Sequence, residues 1–131
     1  MILNKLKTFV KKIYRLSMEK KNTIFCDIDG TIFVYRKFET YTQTKPEVIP
    51  STLRYLKEQA ELGHMIVLTT ARPQYLEVHT IKELIEAEVP YDKLIMGLER
   101  GPRYLINDLD PSKEGLRAFA INLVRDKGFE E

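Results

Sequence analysis

The run Thr23-Ile24-Phe25-Cys26-Asp27-Ile28-Asp29-Gly30-Thr31 constrains this chain more than any other stretch. A largely apolar segment ends in two carboxylates one residue apart, and a glycine and a threonine follow at once. If the strand continues through them, its period of two points Asp27 and Asp29 the same way. Gly30 lets the chain leave the strand along a path closed to bulkier residues. Two acids at the carboxyl end of a strand, beside a glycine turn, suit a hard cation and a phosphate. Without a cation, a buried pair would repel and hold one proton.

The remaining elements extend this strand into an α/β pattern. In residues 2–17, Ile2, Leu6, Phe9, Ile13 and Leu16 recur at helical spacing, Leu3, Val10 and Tyr14 widen the stripe, and lysines take the other face. Residues 32–49 read as irregular. Helices are predicted over about 50–62, stopped by Gly63, and over about 73–88, ended by Pro90. Strands are predicted over 64–69, 93–96 and 103–107, and Pro111 opens a last helix to about Arg125. This order predicts a three-layer α/β sandwich with a mostly parallel, Rossmann-like sheet behind an N-terminal amphipathic helix. Right-handed crossovers gather the strand carboxyl ends on one edge, where open α/β sheets bind ligands.

The length of 131 residues suits one domain with a modest core. No apolar run approaches a membrane span, and the basic start never becomes the continuous apolar core of a secretory leader. The single cysteine, Cys26, excludes an internal disulfide and reads as a small buried thiol. A cytoplasmic location, peripheral to a membrane if the N-terminal arm docks there, is expected. Residues 1–21 hold seven basic residues against Glu19, or +6, and the chain totals +2, so the rest carries −4. The division expected is a basic arm, 1–21, on a mildly acidic body, 22–131.

Asp27 to Thr31 matches the first motif of the haloacid dehalogenase superfamily, Asp-x-Asp-Gly-Thr, and the chain resembles that family. The resemblance implies that Asp27 is a nucleophile that becomes an aspartyl-phosphate. It makes Asp29 the general acid and base, with its backbone carbonyl on Mg²⁺. Phosphoryl transfer needs mainly alignment and charge neutralisation, which carboxylates and Mg²⁺ supply. Thr70, in Thr69-Thr70-Ala71-Arg72, aligns with the second motif, whose hydroxyl bonds the phosphate; Thr69 is the fallback. Arg72 is a fork for the phosphate or its leaving group, or else a solvated residue behind a Thr70 cap.

Val89 to Gly97 is similar to a stretch in small phosphatases of this superfamily associated with capsule polysaccharide biosynthesis. There a lysine follows the glycine as the third motif; here Leu98 takes its place, and Arg100, then Arg103, is the nearest substitute cation. Tyr104 to Pro111 resembles the fourth motif, a strand ending in paired acids that hold Mg²⁺. The pair maps onto Asn107-Asp108, with Asp108 as metal ligand, Asn107 as carbonyl ligand or support, and Asp110 placed to cap the last helix.

The resemblance thus implies a Mg²⁺-dependent phosphomonoesterase without a cap domain, acting on a sugar phosphate or another surface-polysaccharide precursor. Gly30, Thr31, Arg72, Tyr35 and Arg103 complete the expected substrate contacts. Phe33, Tyr35, Phe38 and Tyr41 form a wall of the site or pack their own loop. Two other readings stay open. One is a 3′-end phosphatase of nucleic acids, disfavoured by the acidic body. The other is a catalytically weak binding or assembly module, suggested by Leu98 and Asn107. For the basic arm, pairing with another copy or packing on its own domain leads, an anionic membrane surface follows, and nucleic acid comes last.

Overall fold

The computed structural model describes residues 1–18 and 20–129, with the backbone alone for residues 15–18. Helix α1 (Ile2–Met18) precedes strand β1 (Thr23–Asp27). Helix α2 (Pro50–Glu61), strand β2 (Met65–Thr69), helix α3 (Glu77–Glu86) and strand β3 (Lys93–Ile95) follow, with short 3-10 turns at Phe38–Thr40 and Gln74–Leu76. The three strands lie parallel in the order β1-β2-β3, and Asp27, Thr69 and Ile95 end them side by side.

The core follows from the strand pattern. Ile66, Val67 and Leu68 are all buried in the central strand, which has β1 on one edge and β3 on the other. Registry puts Ile24 beside Ile66, Cys26 beside Leu68, and Leu68 beside Leu94, on one face. Leu56 of α2 and Leu84 of α3 pack onto that same face, together with Ile28, Ile32 and Phe33 from the turn after β1. Pro50 opens α2 with the φ a first helical turn requires, and Gly63, at φ 83°, takes the left-handed position that ends it. The other face carries Phe25, Met65 and Ile95, which expose 54%, 41% and 42% of their surface.

The expected fourth strand over 103–107 and last helix over 111–125 do not form: this stretch runs as turns, bends and irregular chain. Both ends of the stretch are tied to the carboxyl edge of the sheet. Leu98 N–H donates to the Thr70 carbonyl, and Asp126 N–H donates to the Gly30 carbonyl. A strand parallel to β1 would have to start from the opposite edge. The Arg103 side chain instead donates to the carbonyls of Glu99 and Gly101, curling the chain where it would have to run extended. Asp110 does not cap a helix; its carboxylate accepts from the Ser112 N–H and hydroxyl in a local turn. Gly115, at φ 98°, then interrupts any helical path.

Candidate active site

The turn after β1 builds the site. The Ile28 carbonyl accepts the N–H groups of Thr31, Ile32 and Phe33, and Gly30 N–H donates to the Phe33 carbonyl. This tight loop needs a left-handed residue, and Gly30 supplies it at φ 86°. A side chain there would also press on Arg125 Cγ, 3.1 Å from where a Cβ would stand. The loop buries Ile28 and Ile32 and leaves Asp27 and Asp29 lining a cavity of about 1080 Å³ that runs from the strand ends back along β1 to Ile24.

Asp27 lines this cavity and accepts the Thr31 hydroxyl on Oδ2 at 3.2 Å. Surrounding protein pushes its carboxyl above the usual aspartate range, and the Asp29 charge adds to this. The Thr31 and Ile28 hydrogen bonds and the Arg103 charge pull the other way without cancelling it. Cys26 next door is driven up to about 12 by burial and by Asp27, so it is an unreactive thiol, as its place in the strand suggests.

Asp29 is held differently. Arg72 grips it with a two-point fork, Nε to Oδ2 at 2.9 Å and Nη2 to Oδ1 at 2.8 Å. The guanidinium is buried, and its Nη1 also donates to Thr80 Oγ1 at 3.1 Å and Glu83 Oε1 at 2.7 Å. Glu83 Oε1 accepts Arg36 Nη2 at 2.9 Å as well. Two arginines and two acids therefore neutralise one another under the site, and the Tyr41 ring lies 4.4 Å from the Arg72 guanidinium and 5.0 Å from that of Arg36. Burial alone would raise the Glu83 carboxyl, but the two arginines outweigh it and hold its pKa low. Burial would likewise lower Arg72, yet Asp29 and Glu83 keep it firmly charged. Tyr41 is pushed up to about 12 by burial and by the Asp29 charge.

The expected residues are thus partly gathered. Asp27, Asp29, Thr31, Tyr35, Thr70, Arg72, Arg100 and Arg103 all line the cavity. Thr70 is buried at the end of β2, and its Oγ1 accepts the Arg72 N–H at 3.0 Å, leaving the hydroxyl proton to donate elsewhere. Arg72 is neither a solvated residue nor a free phosphate fork: four of its donor contacts already go to Asp29, Thr80 and Glu83. Of the two substitute cations, Arg103 is the one whose charge acts on Asp27. Asn107 and Asp108 are exposed on the irregular stretch and do not line the cavity. Among the described residues, no three acidic, histidine or cysteine side chains cluster to hold a metal.

Three participants were not foreseen. Glu83 lies on the buried face of α3 with Thr80 and Leu84, and an acid on an apolar face is the signal that a buried cation must meet it. Arg125 stacks 4.2 Å over the Tyr35 ring and lines the cavity. Asp126 Oδ1 accepts the Tyr35 N–H at 2.6 Å, tying the end of the chain to the site loop.

A family model for haloacid dehalogenase-like hydrolases matches residues 24–92, just over half of the sequence and the part that contains both Asp27 and the Arg72 network. The chain belongs to this family. No curated protein matches it. Among solved structures, the chain is similar to one in a Pnkp1/Rnl/Hen1 complex, at 21% identity and a TM-score of 0.54, over 67% of this chain and 31% of that one. It is similar to another in a Pnkp1/Rnl/Hen1 RNA repair complex, at 23% identity and a TM-score of 0.52, over 58% of this chain and 25% of the other. A crystal structure of a target from Vibrio cholerae shares 20% identity over 70% of this chain and 85% of that one, with a TM-score of 0.47. The chain therefore spans a third or less of the two repair-complex chains, and these likenesses show the fold alone.

Proposed function

We propose that this hydrolase cleaves phosphomonoesters through an aspartyl-phosphate on Asp27. The observation that carries the reading is the pairing of a hydroxyl-supported carboxylate, Asp27, with a second carboxylate, Asp29, fixed by a buried arginine at the same cavity. An Asp27 oxygen attacks phosphorus in line as the bond to the leaving oxygen breaks, and Asp29 delivers its proton to that oxygen. Asp29 then takes a proton from water as the water oxygen attacks phosphorus. The bond to Asp27 breaks, releasing inorganic phosphate and restoring both acids. The Arg72 fork orients Asp29 for both transfers, because it binds one lone pair on each oxygen and leaves the others for the proton. Thr70 donates its hydroxyl, and Arg103 its charge, to the phosphate oxygens.

Mg²⁺ fits the hard oxygen donors of Asp27 and the Asp29 carbonyl, since it keeps several waters and uses one or two carboxylates. Its charge would oppose the burial and the Asp29 repulsion that raise Asp27. When bound, it neutralises phosphate charge. Asp108 and Asn107 join that site only if the stretch that carries them moves. The loop from Thr31 to Pro50 holds one short 3-10 turn, which supports a site without a cap, open to bulky substrates. A sugar phosphate or surface-polysaccharide precursor is the substrate class we favour. The likeness to RNA-repair chains is one of fold, and a body of −4 charge repels a polynucleotide.

Purified protein with Mg²⁺ should hydrolyse an aryl phosphate, and Asp27→Asn should remove the activity. Undiminished turnover by Asp27→Asn discards the mechanism. Turnover confined to oligonucleotide 3′ ends transfers the assignment to nucleic-acid repair. Absence of turnover on a broad phosphate panel, with Mg²⁺ bound, identifies a binding module instead.

A further inference from the structure

Helix α1 leaves its apolar side bare. Ile2, Leu3, Leu6, Phe9, Val10 and Ile13 recur at helical spacing, and each exposes half or more of its surface. Among the described residues, no other element packs against the helix. Its charges all have one sign: Lys5, Lys7, Lys11, Lys12 and Arg15, with no acid. At about 100° per residue, the apolar side chains gather in less than half of the circumference, bordered by Lys5 and Lys12 on one margin and Lys7 on the other.

The geometry points to an anionic lipid surface as the partner of α1. Two needs must be met at once, an apolar phase for the stripe and negative charge for its margins. A second α1 meets the first and fails the second, because it brings five cations against five. A bilayer bearing acidic headgroups meets both: the stripe enters the headgroup–acyl boundary while the lysine stems reach outward to the phosphates. The helix lies on the membrane rather than across it, since no described helix is long and apolar enough to span one. It leads into the amino end of β1, whereas Asp27 and Asp29 lie at and beyond the carboxyl end of that strand.

The test is flotation of the full chain with vesicles of phosphatidylcholine, alone or with about 30% phosphatidylserine, at about 0.1 M salt. Recovery with the anionic vesicles and not with the neutral ones is expected. Lys5→Gln/Lys12→Gln should weaken that recovery roughly thirtyfold. Phe9→Asp should also abolish it, with the thermal unfolding of the body unchanged in both variants. Equal recovery on both vesicle types overturns the proposal, as does recovery on neither. So does a lipid-free dimer, seen by light scattering, that Leu6→Asp dissolves.

Discussion

The two walls of the cavity are made in opposite ways. On the Asp29 side, Arg72, Glu83, Thr80 and Arg36 form a buried, hydrogen-bonded set in which every charge has a counter-charge. On the far side, residues 99–125 present Tyr104, Ile106 and Phe119 to solvent at 86%, 91% and 77% exposure. They are held mainly where the stretch begins and ends, by Leu98 on Thr70 and by Asp126 on Gly30 and Tyr35. The first wall is rigid because its charges are joined through Arg72, whose removal leaves Asp29 without a cation. The second has few buried apolar contacts to lose, which is the physical mark of a segment that opens at low cost. One carboxylate of the proposed chemistry is therefore locked in place, while Asp108 and Asn107, two of the four residues expected to hold the metal, ride on the looser wall.

The largest expected effect breaks the first wall. Arg72→Met leaves Asp29 and Glu83 buried without their shared cation and should cost about 3–5 kcal/mol of stability. Urea unfolding monitored by circular dichroism measures it. Adding Asp29→Asn should recover part of the loss, because Asp29 is the carboxylate left without a cation while Glu83 keeps Arg36. A loss under about 1 kcal/mol for Arg72→Met would mean that the network is solvated, and the contrast between the walls would vanish.

A smaller effect joins the two walls. Arg103 belongs to the loose stretch, yet its charge lowers the pKa of Asp27 against burial and Asp29, which raise it. The nucleophile must be ionised, so activity falls as pH drops through its pKa. Arg103→Gln removes the lowering influence and leaves the raising ones, so the acid limb of kcat/KM should move to higher pH. An unmoved limb, with kcat/KM unchanged at neutral pH, would separate Arg103 from the site and leave its wall without a catalytic part.

The sequence made one wall far more legible than the other, for reasons of range. Asp27 to Thr31 could be read because a strand end, a period of two and a glycine turn are local features, and the parallel strands β1 to β3 follow from local patterning too. The contacts of Arg72 are not legible in the sequence, because its partners come from the turn after β1 and from α3, and spacing along the chain does not say which acid an arginine will face. Tyr104-Leu105-Ile106 has the composition of a strand, but that preference is fulfilled only when an edge is there to pair with. Here the ties at Thr70 and Gly30 keep the stretch off the β1 edge. The exposure of α1 was likewise beyond periodicity, which predicts an apolar face without saying what will cover it.

The smallest expected effect is the sharpest test of the contrast. Ile106 closes the strand-like run Tyr104-Leu105-Ile106 on the loose wall and is 91% exposed, so Ile106→Ser should change stability by no more than about 0.5 kcal/mol. Leu68→Ala in the central strand, where the side chain is fully buried, should cost about 2–5 kcal/mol in the same urea titration. If Ile106→Ser instead costs as much as the core substitution, Ile106 is buried in solution, and the β1 edge, with Phe25 54% exposed, offers an unpaired surface to cover it. Pairing there would carry Asp108 toward the carboxyl edge beside Asp27, and the loose wall would become the second half of the site.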